Sequence, residues 1–119
     1  MKITILLSLL NQLRIFHWQT KSYAQHNAFG ATYDALNTLA DEFLEVFMGK
    51  YGRLKAKEEF ALKLENYNDK HLDVINAFIT LVQKDLVKDL TPEKDSDLLN
   101  IRDEMLAALN KLKYLLTLQ

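Results

Sequence analysis

YAQHNAFGATYDALNTLADEFLEVFM, residues 23–48, brings its large apolar side chains back at intervals of three and four. Phe29, Tyr33, Leu36, Ala40, Phe43 and Phe47 fall on one stripe, the repeat of an α-helix that buries one face. The start is marked by Ser22-x-x-Gln25, a capping-box pattern in which the hydroxyl accepts the Gln25 N–H and the Gln side chain reaches back. Gly49 and Gly52 mark the end. The stretch therefore predicts a long helix over 23–48.

The flanks repeat the pattern. Upstream, Leu6, Leu9, Leu10, Leu13, Phe16 and His17 share one face of a helix over 4–20, joined to the next by only Thr20-Lys21-Ser22. Downstream, Leu72, Ile75, Phe78, Ile79, Val82 and Leu86 point inward from a helix over 70–87. Thr91-Pro92 opens a last helix over 92–117, with Thr as cap and Pro at the first position, and Asp95 or Ser96 offers a restart. That helix carries Leu98, Ile101, Met105, Leu109, Leu112 and Leu116. Between the second and third helices, residues 53–68 alternate Lys and Glu with Phe60, Leu62 and Leu64, which reads as irregular chain or a short surface helix. Asn66-Tyr67-Asn68-Asp69 breaks it.

Each amphipathic helix can bury its stripe only against the others. The expectation is one all-α domain over 1–119, an up-and-down four-helix bundle. Its core holds Leu9, Leu13, Phe29, Leu36, Phe43, Phe78, Val82, Leu109 and Leu112. Three Gly and one Pro are too few for a many-stranded β fold. The absence of Cys excludes disulfides, thiolate metal sites and a thiol nucleophile. Fifteen Lys and Arg against sixteen Asp and Glu leave a net charge of -1, which argues against nucleic-acid or membrane partners. Ile3–Leu10 is too short to span a bilayer, so the default is a cytoplasmic protein. The basic run Lys50, Arg53, Lys55 and Lys57 is interrupted by Glu58 and Glu59 and reads as surface.

The chemistry-bearing residues sit mostly on the first two helices. His17 lies one turn after Leu13 on the apolar side, and His26 falls in the first turn of the second helix. His71, at the start of the third helix beside Asp69 and Asp73, reads as structural or exposed. Asp34, Asp41 and Glu45 form a second stripe on the second helix, away from its core face. Asp41 and Glu45 are one turn apart, so their carboxylates can converge on one ion. Leu44 and Met48 lie near this stripe, which suggests a face covered by another subunit; the alternative is a charged face with scattered apolar residues. There is no Glu-x-x-His pair, no Gly-rich phosphate loop and no His-Glu-x-x-His.

His17-Trp18 ending the first helix, His26 opening the second, and Asp41-x-x-x-Glu45 fifteen positions after His26 resemble the Dps-like miniferritins over roughly 6–48. The resemblance implies a ferritin-like fold and a homo-oligomer associating through the first two helices. It also implies an iron site shared across a two-fold interface. His17 and His26 would be nitrogen ligands from one subunit, and Asp41 and Glu45 oxygen ligands from the other. Mixed nitrogen and carboxylate ligands suit iron, manganese or zinc better than calcium. Two departures stand out. The family's further Asp, four residues after its second His, is Gly30 here, with Asp34 one turn later as a possible substitute. The loop between the histidines is also shorter than is usual in the family. The chain looks most like small Dps-like proteins of phages and large DNA viruses; if it is phage-encoded, the resemblance implies a place in the virion rather than the cytoplasm. The function implied is binding of iron or another divalent metal, with at most weak ferroxidase activity. The alternative is a non-enzymatic structural or partner-binding bundle with a degenerate site.

Overall fold

The computed structural model describes residues 1–118. The long second helix, α2 (Tyr23–Tyr51), is the axis around which the others pack. It runs three residues beyond the expected end because Gly49 stays helical, and it stops at Gly52, whose φ of 91° only glycine adopts without strain. Helix α1 (Lys2–Gln19) precedes it, and α3 (His71–Gln83) and α4 (Pro92–Leu115) follow. The third helix is shorter than expected. It ends at Gln83, and a single 3-10 turn, Asp85–Val87, then turns Leu86 and Val87 into the core. Among the described residues there is no strand.

All of the expected core positions are buried, with Phe29, Phe43, Val82, Leu109 and Leu112 at 0% exposure. The core is continuous through all four helices. Leu72, expected inward, is instead exposed, because the turn that starts α3 points its first leucine to solvent.

Of the two readings of the segment after α2, irregular chain is the one that forms. Residues 53–68 hold no helix; they return as a crossover along α1. Leu54 starts it beside Met1, Lys2 and Ile5, and Tyr67 ends it against Phe16 and Phe29. Two glutamines of α1 hold it there. Gln12 is buried; its Nε2 donates to the Glu65 carbonyl and its Oε1 accepts from the Glu65 N–H, both at 2.8 Å. Gln19 accepts from the Tyr67 N–H at 2.7 Å and donates to Asn66 Oδ1 at 3.0 Å. At Glu65 and Tyr67 the amide side chains supply what a neighbouring strand would.

The crossover sets the helix directions. At one end of the molecule lie the close of α1, the start of α2 and the start of α3, where His71 packs edge-on against Phe16 and Phe29. At the other end Lys2 Nζ donates to the Leu86 carbonyl and to Asp89, and Tyr51 meets Asp95. Helices α2 and α3 therefore run the same way, and α1 and α4 run opposite to them. This corrects the strict up-and-down order: a long crossover, not a short turn, joins the second and third helices.

The end where α2 meets α4 is fully partnered. Asp95 is buried and breaks the helix locally, with φ −126° and ψ 30°. Its carboxylate accepts from the Tyr51 hydroxyl, from the Thr91 N–H at 3.0 Å and from Lys50 Nζ, an ion pair at 3.2 Å. Thr91 is the cap position, but its hydroxyl makes no capping bond; Asp95 reaches back to its N–H instead. Lys50 also donates to the Lys94 carbonyl at 2.6 Å and to Asp97 at 2.9 Å. The Tyr51 hydrogen bond, with help from the Thr91 N–H and Lys50, holds the Asp95 carboxyl below its ordinary value, and Lys50 does the same for Asp97.

A histidine pair at the α1–α2 hairpin as a candidate metal centre

The three-residue connection between α1 and α2 folds their ends together. Ser22 Oγ accepts from the Gln25 N–H at 3.2 Å, the first half of the expected capping box. The second half is absent: Gln25 Oε1 accepts from Thr20 Oγ1 at 2.7 Å and from Tyr67 Oη at 2.6 Å rather than reaching back. Thr20 in turn accepts from the Ser22 N–H. The connection is thereby tied both to itself and to the crossover.

This tight hairpin brings His17 and His26 face to face. Their rings stack with centroids 3.8 Å apart and planes 16° from parallel. Each ring bonds the other residue's backbone: His17 Nδ1 lies 2.7 Å from the His26 carbonyl, and His26 Nδ1 lies 2.8 Å from the His17 carbonyl. A carbonyl only accepts, so each Nδ1 carries a proton, and in the neutral rings each Nε2 carries the lone pair. His26 also closes the end of α1, because the His17 carbonyl is among the last four of that helix and has no partner within it. Both imidazoles are thus held in the tautomer that leaves Nε2 free, which is the usual role of a second partner behind a ligating histidine.

Gly30 makes this arrangement fit. A Cβ there would stand 3.0 Å from His17 Cε1 and 3.1 Å from Nδ1. The His17 ring occupies the space that any side chain at position 30 would need. An Asp four residues after His26 is therefore not simply missing; it cannot be added without moving His17.

Beside the pair, Arg14, His17, Trp18, Gly30, Tyr33 and Asp34 line an open cleft of about 280 Å³. The Arg14 guanidinium lies between two rings, 4.9 Å from the Trp18 centroid and 5.1 Å from that of Tyr33, and donates to the Tyr33 hydroxyl at 3.2 Å. Sequence reading missed this cluster, although Arg14 and Trp18 stand at the i, i+4 spacing that lets helix side chains meet. Of the expected site residues, His17, His26 and Asp34 gather at this end. Asp41 and Glu45 are exposed farther along α2, with Asp41 about 22 Å from the level of His26 at 1.5 Å per residue. Among the described residues no group of three or more His, Asp or Glu is close enough to hold one ion. His71 is structural: it stacks on Tyr67 at 4.9 Å, and its Nδ1 lies 2.9 Å from the Asn68 carbonyl. Leu44, expected to need a cover from outside, packs partly against the chain's own core.

A family model described as "Family of unknown function (DUF5856)" matches residues 17–116. The chain belongs to the DUF5856 family. The match begins at His17 and takes in His26, Gly30, Asp34, Asp41 and Glu45, so every expected metal ligand lies within the DUF5856 region, while Arg14 of the cleft precedes it. No curated protein and no solved structure matches this DUF5856 chain. No helix among its described residues is long and apolar enough to cross a membrane.

Proposed function

We propose that this chain is a Dps-like, ferritin-fold protein that binds Fe(II) or another divalent metal at a site shared by two copies. His17 and His26 come from one copy, and Asp41 and Glu45 from the other. The observation that carries this reading is the pair of imidazoles whose Nδ1 protons are locked onto backbone carbonyls, leaving both Nε2 lone pairs free. The antiparallel packing of neighbouring helices and the single long crossover also favour the ferritin-like arrangement over a simple up-and-down bundle.

The spacing along α2 supports a shared site. His17 rests on Gly30, so the imidazoles occupy the levels of residues 26 and 30. A two-fold axis passing beside α2, level with the midpoint of Ala35 and Leu36, would carry level 30 onto Asp41 and level 26 onto Glu45 together. One axis would serve both ligand pairs. Ala31, Ala35 and Thr38 are exposed around that point, and their small side chains would let two copies of α2 approach closely. A homo-oligomer through α1 and α2 is part of the same proposal. Imidazole nitrogens and carboxylate oxygens are a donor set suited to Fe(II). With His17 filling the place of a further acid, oxidation of bound Fe(II) is expected to be slow.

One observation favours the second reading, a non-enzymatic structural or partner-binding bundle. Two rings 16° from parallel do not aim their Nε2 atoms at a common point, so one imidazole must turn for both to hold one ion. Metal analysis of tag-free protein, alongside its native mass, separates the readings. Bound iron in an oligomer supports the first; a protein that stays metal-free with excess Fe(II) supports the second.

A further inference from the structure

Opposite charges stand unpaired on the same face of this chain, at different heights. Arg14 is held by Trp18 and Tyr33 at the level of Tyr33 and forms no ion pair among the described residues. Asp41 is exposed and likewise without an ion pair there. Asp34 lines the Arg14 cleft, and Asp41 lies two turns farther on, about 20° around the helix from it at 100° per residue. The cleft and Asp41 therefore share a face. Within one chain they cannot meet, because eight residues of α2, about 12 Å, separate Asp41 from Tyr33.

We infer that Arg14 is the anchor of a self-complementary interface and pairs with Asp41 of a second copy. A surface that carries a cation at one height and an anion at another becomes complementary to itself under a two-fold rotation. The axis level with the midpoint of Ala35 and Leu36 carries the level of Tyr33 onto Thr38, one turn short of Asp41, within reach of an arginine. The guanidinium is already splinted between two rings, so little side-chain freedom remains to be lost on pairing. Trp18 is 63% exposed, large and rigid, and lies directly over the guanidinium; a second copy would cover both. Buried Trp and Arg are the residues that most often dominate interfaces. This inference rests on the self-association proposed above but not on metal, because the ion pair forms between protein groups alone.

The test is sedimentation velocity in EDTA at moderate salt, on wild type, Arg14→Glu, Asp41→Arg and the double variant, with circular dichroism confirming that each is folded. Wild type is expected to dimerise. Each single charge reversal should weaken the dimer by about tenfold or more, and the double variant should recover most of that loss. Trp18 is the only tryptophan, so dilution of wild type should shift its emission to the red as the dimer parts. A wild type that dimerises while Arg14→Glu dimerises equally well overturns the role of Arg14 and leaves self-association standing. A double variant no better than either single variant also overturns the pairing. A wild type that is monomeric at every concentration overturns the shared-site reading and this inference with it.

Discussion

The two ends of the bundle treat their polar groups differently. At the α2–α4 end, Lys50, Tyr51, Thr91, Asp95 and Asp97 saturate one another, and the carboxylate that breaks the helix is buried with several donors around it. At the α1–α2 hairpin, His17 and His26 each satisfy one nitrogen and leave the other free, and Arg14 lies between two rings without a carboxylate partner among the described residues. A buried phenylalanine lies beneath each end, Phe16 at the hairpin and Phe47 at the other. A closed network explains itself as architecture. The hairpin groups are held in place while an imidazole nitrogen of each ring and the guanidinium stay open to a partner from outside the chain.

The apolar layer should not distinguish the ends. Phe16→Ala beneath the hairpin and Phe47→Ala beneath the Asp95 network should each cost about 3–5 kcal/mol in urea unfolding, since both side chains are buried. A much smaller loss at Phe16 would mean that the hairpin end is loosely packed, and the comparison would fail.

The polar layer should distinguish them. His26→Ala removes a hydrogen bond and should cost about 0.5–1.5 kcal/mol. Asp95→Asn should lower the urea midpoint further than His26→Ala does, because it removes the negative charge beside Lys50. The same contrast should appear on acidification. The folded-state carboxyls of Asp95 and Asp97 are depressed, so their stabilisation is complete above the unfolded-state value of about 3.9 and is lost as pH falls through the folded values. Stability of wild type measured from pH 6 downward should therefore fall more steeply than that of Asp95→Asn. Parallel curves would remove Asp95 from the account.

The smallest contrast is between two glycines inside α2. Nothing lies within 4 Å of a Cβ at Gly49, so Gly49→Ala should gain about 0.5–1 kcal/mol from helix propensity. Gly30→Ala should forfeit that gain, because its methyl group displaces His17. Nitrogen NMR of the imidazoles should show His17 protonated at Nδ1 in wild type and a mixture of tautomers in Gly30→Ala. Equal stabilisation by both substitutions would show that His17 does not depend on the space at position 30. Gly30→Asp, for the same reason, should weaken metal binding rather than add a ligand.

The helices and the core were legible because spacings of three, four and seven at Leu9, Leu13, Phe29, Leu36, Phe43, Leu109 and Leu112 admit only one period. The crossover was not. Lys and Glu around Leu62 and Leu64 suit a surface helix or irregular chain equally well, and the choice is made by Gln12 and Gln19, some fifty residues earlier on another helix. The helix directions followed from that crossover and were misread with it. At the site, His17 and His26 could be named from their places on two helices, but their reciprocal bonds depend on the exact fold of Thr20–Ser22. Gly30 was legible as a missing acid; its positive role, making room for a ring, needed the structure.

The central claim is that the site belongs to two copies at once, and subunit mixing tests it most directly. One variant carries His17→Ala and His26→Ala; the other carries Asp41→Ala and Glu45→Ala. Each is unfolded and refolded alone and as an equal mixture, then titrated anaerobically with Fe(II). The account predicts little binding by either variant alone. The mixture should regain about a quarter of wild-type sites, because random pairing gives half mixed dimers with one complete site in two. Wild-type binding by either variant alone, or a mixture that pairs and still binds no metal, would contradict it.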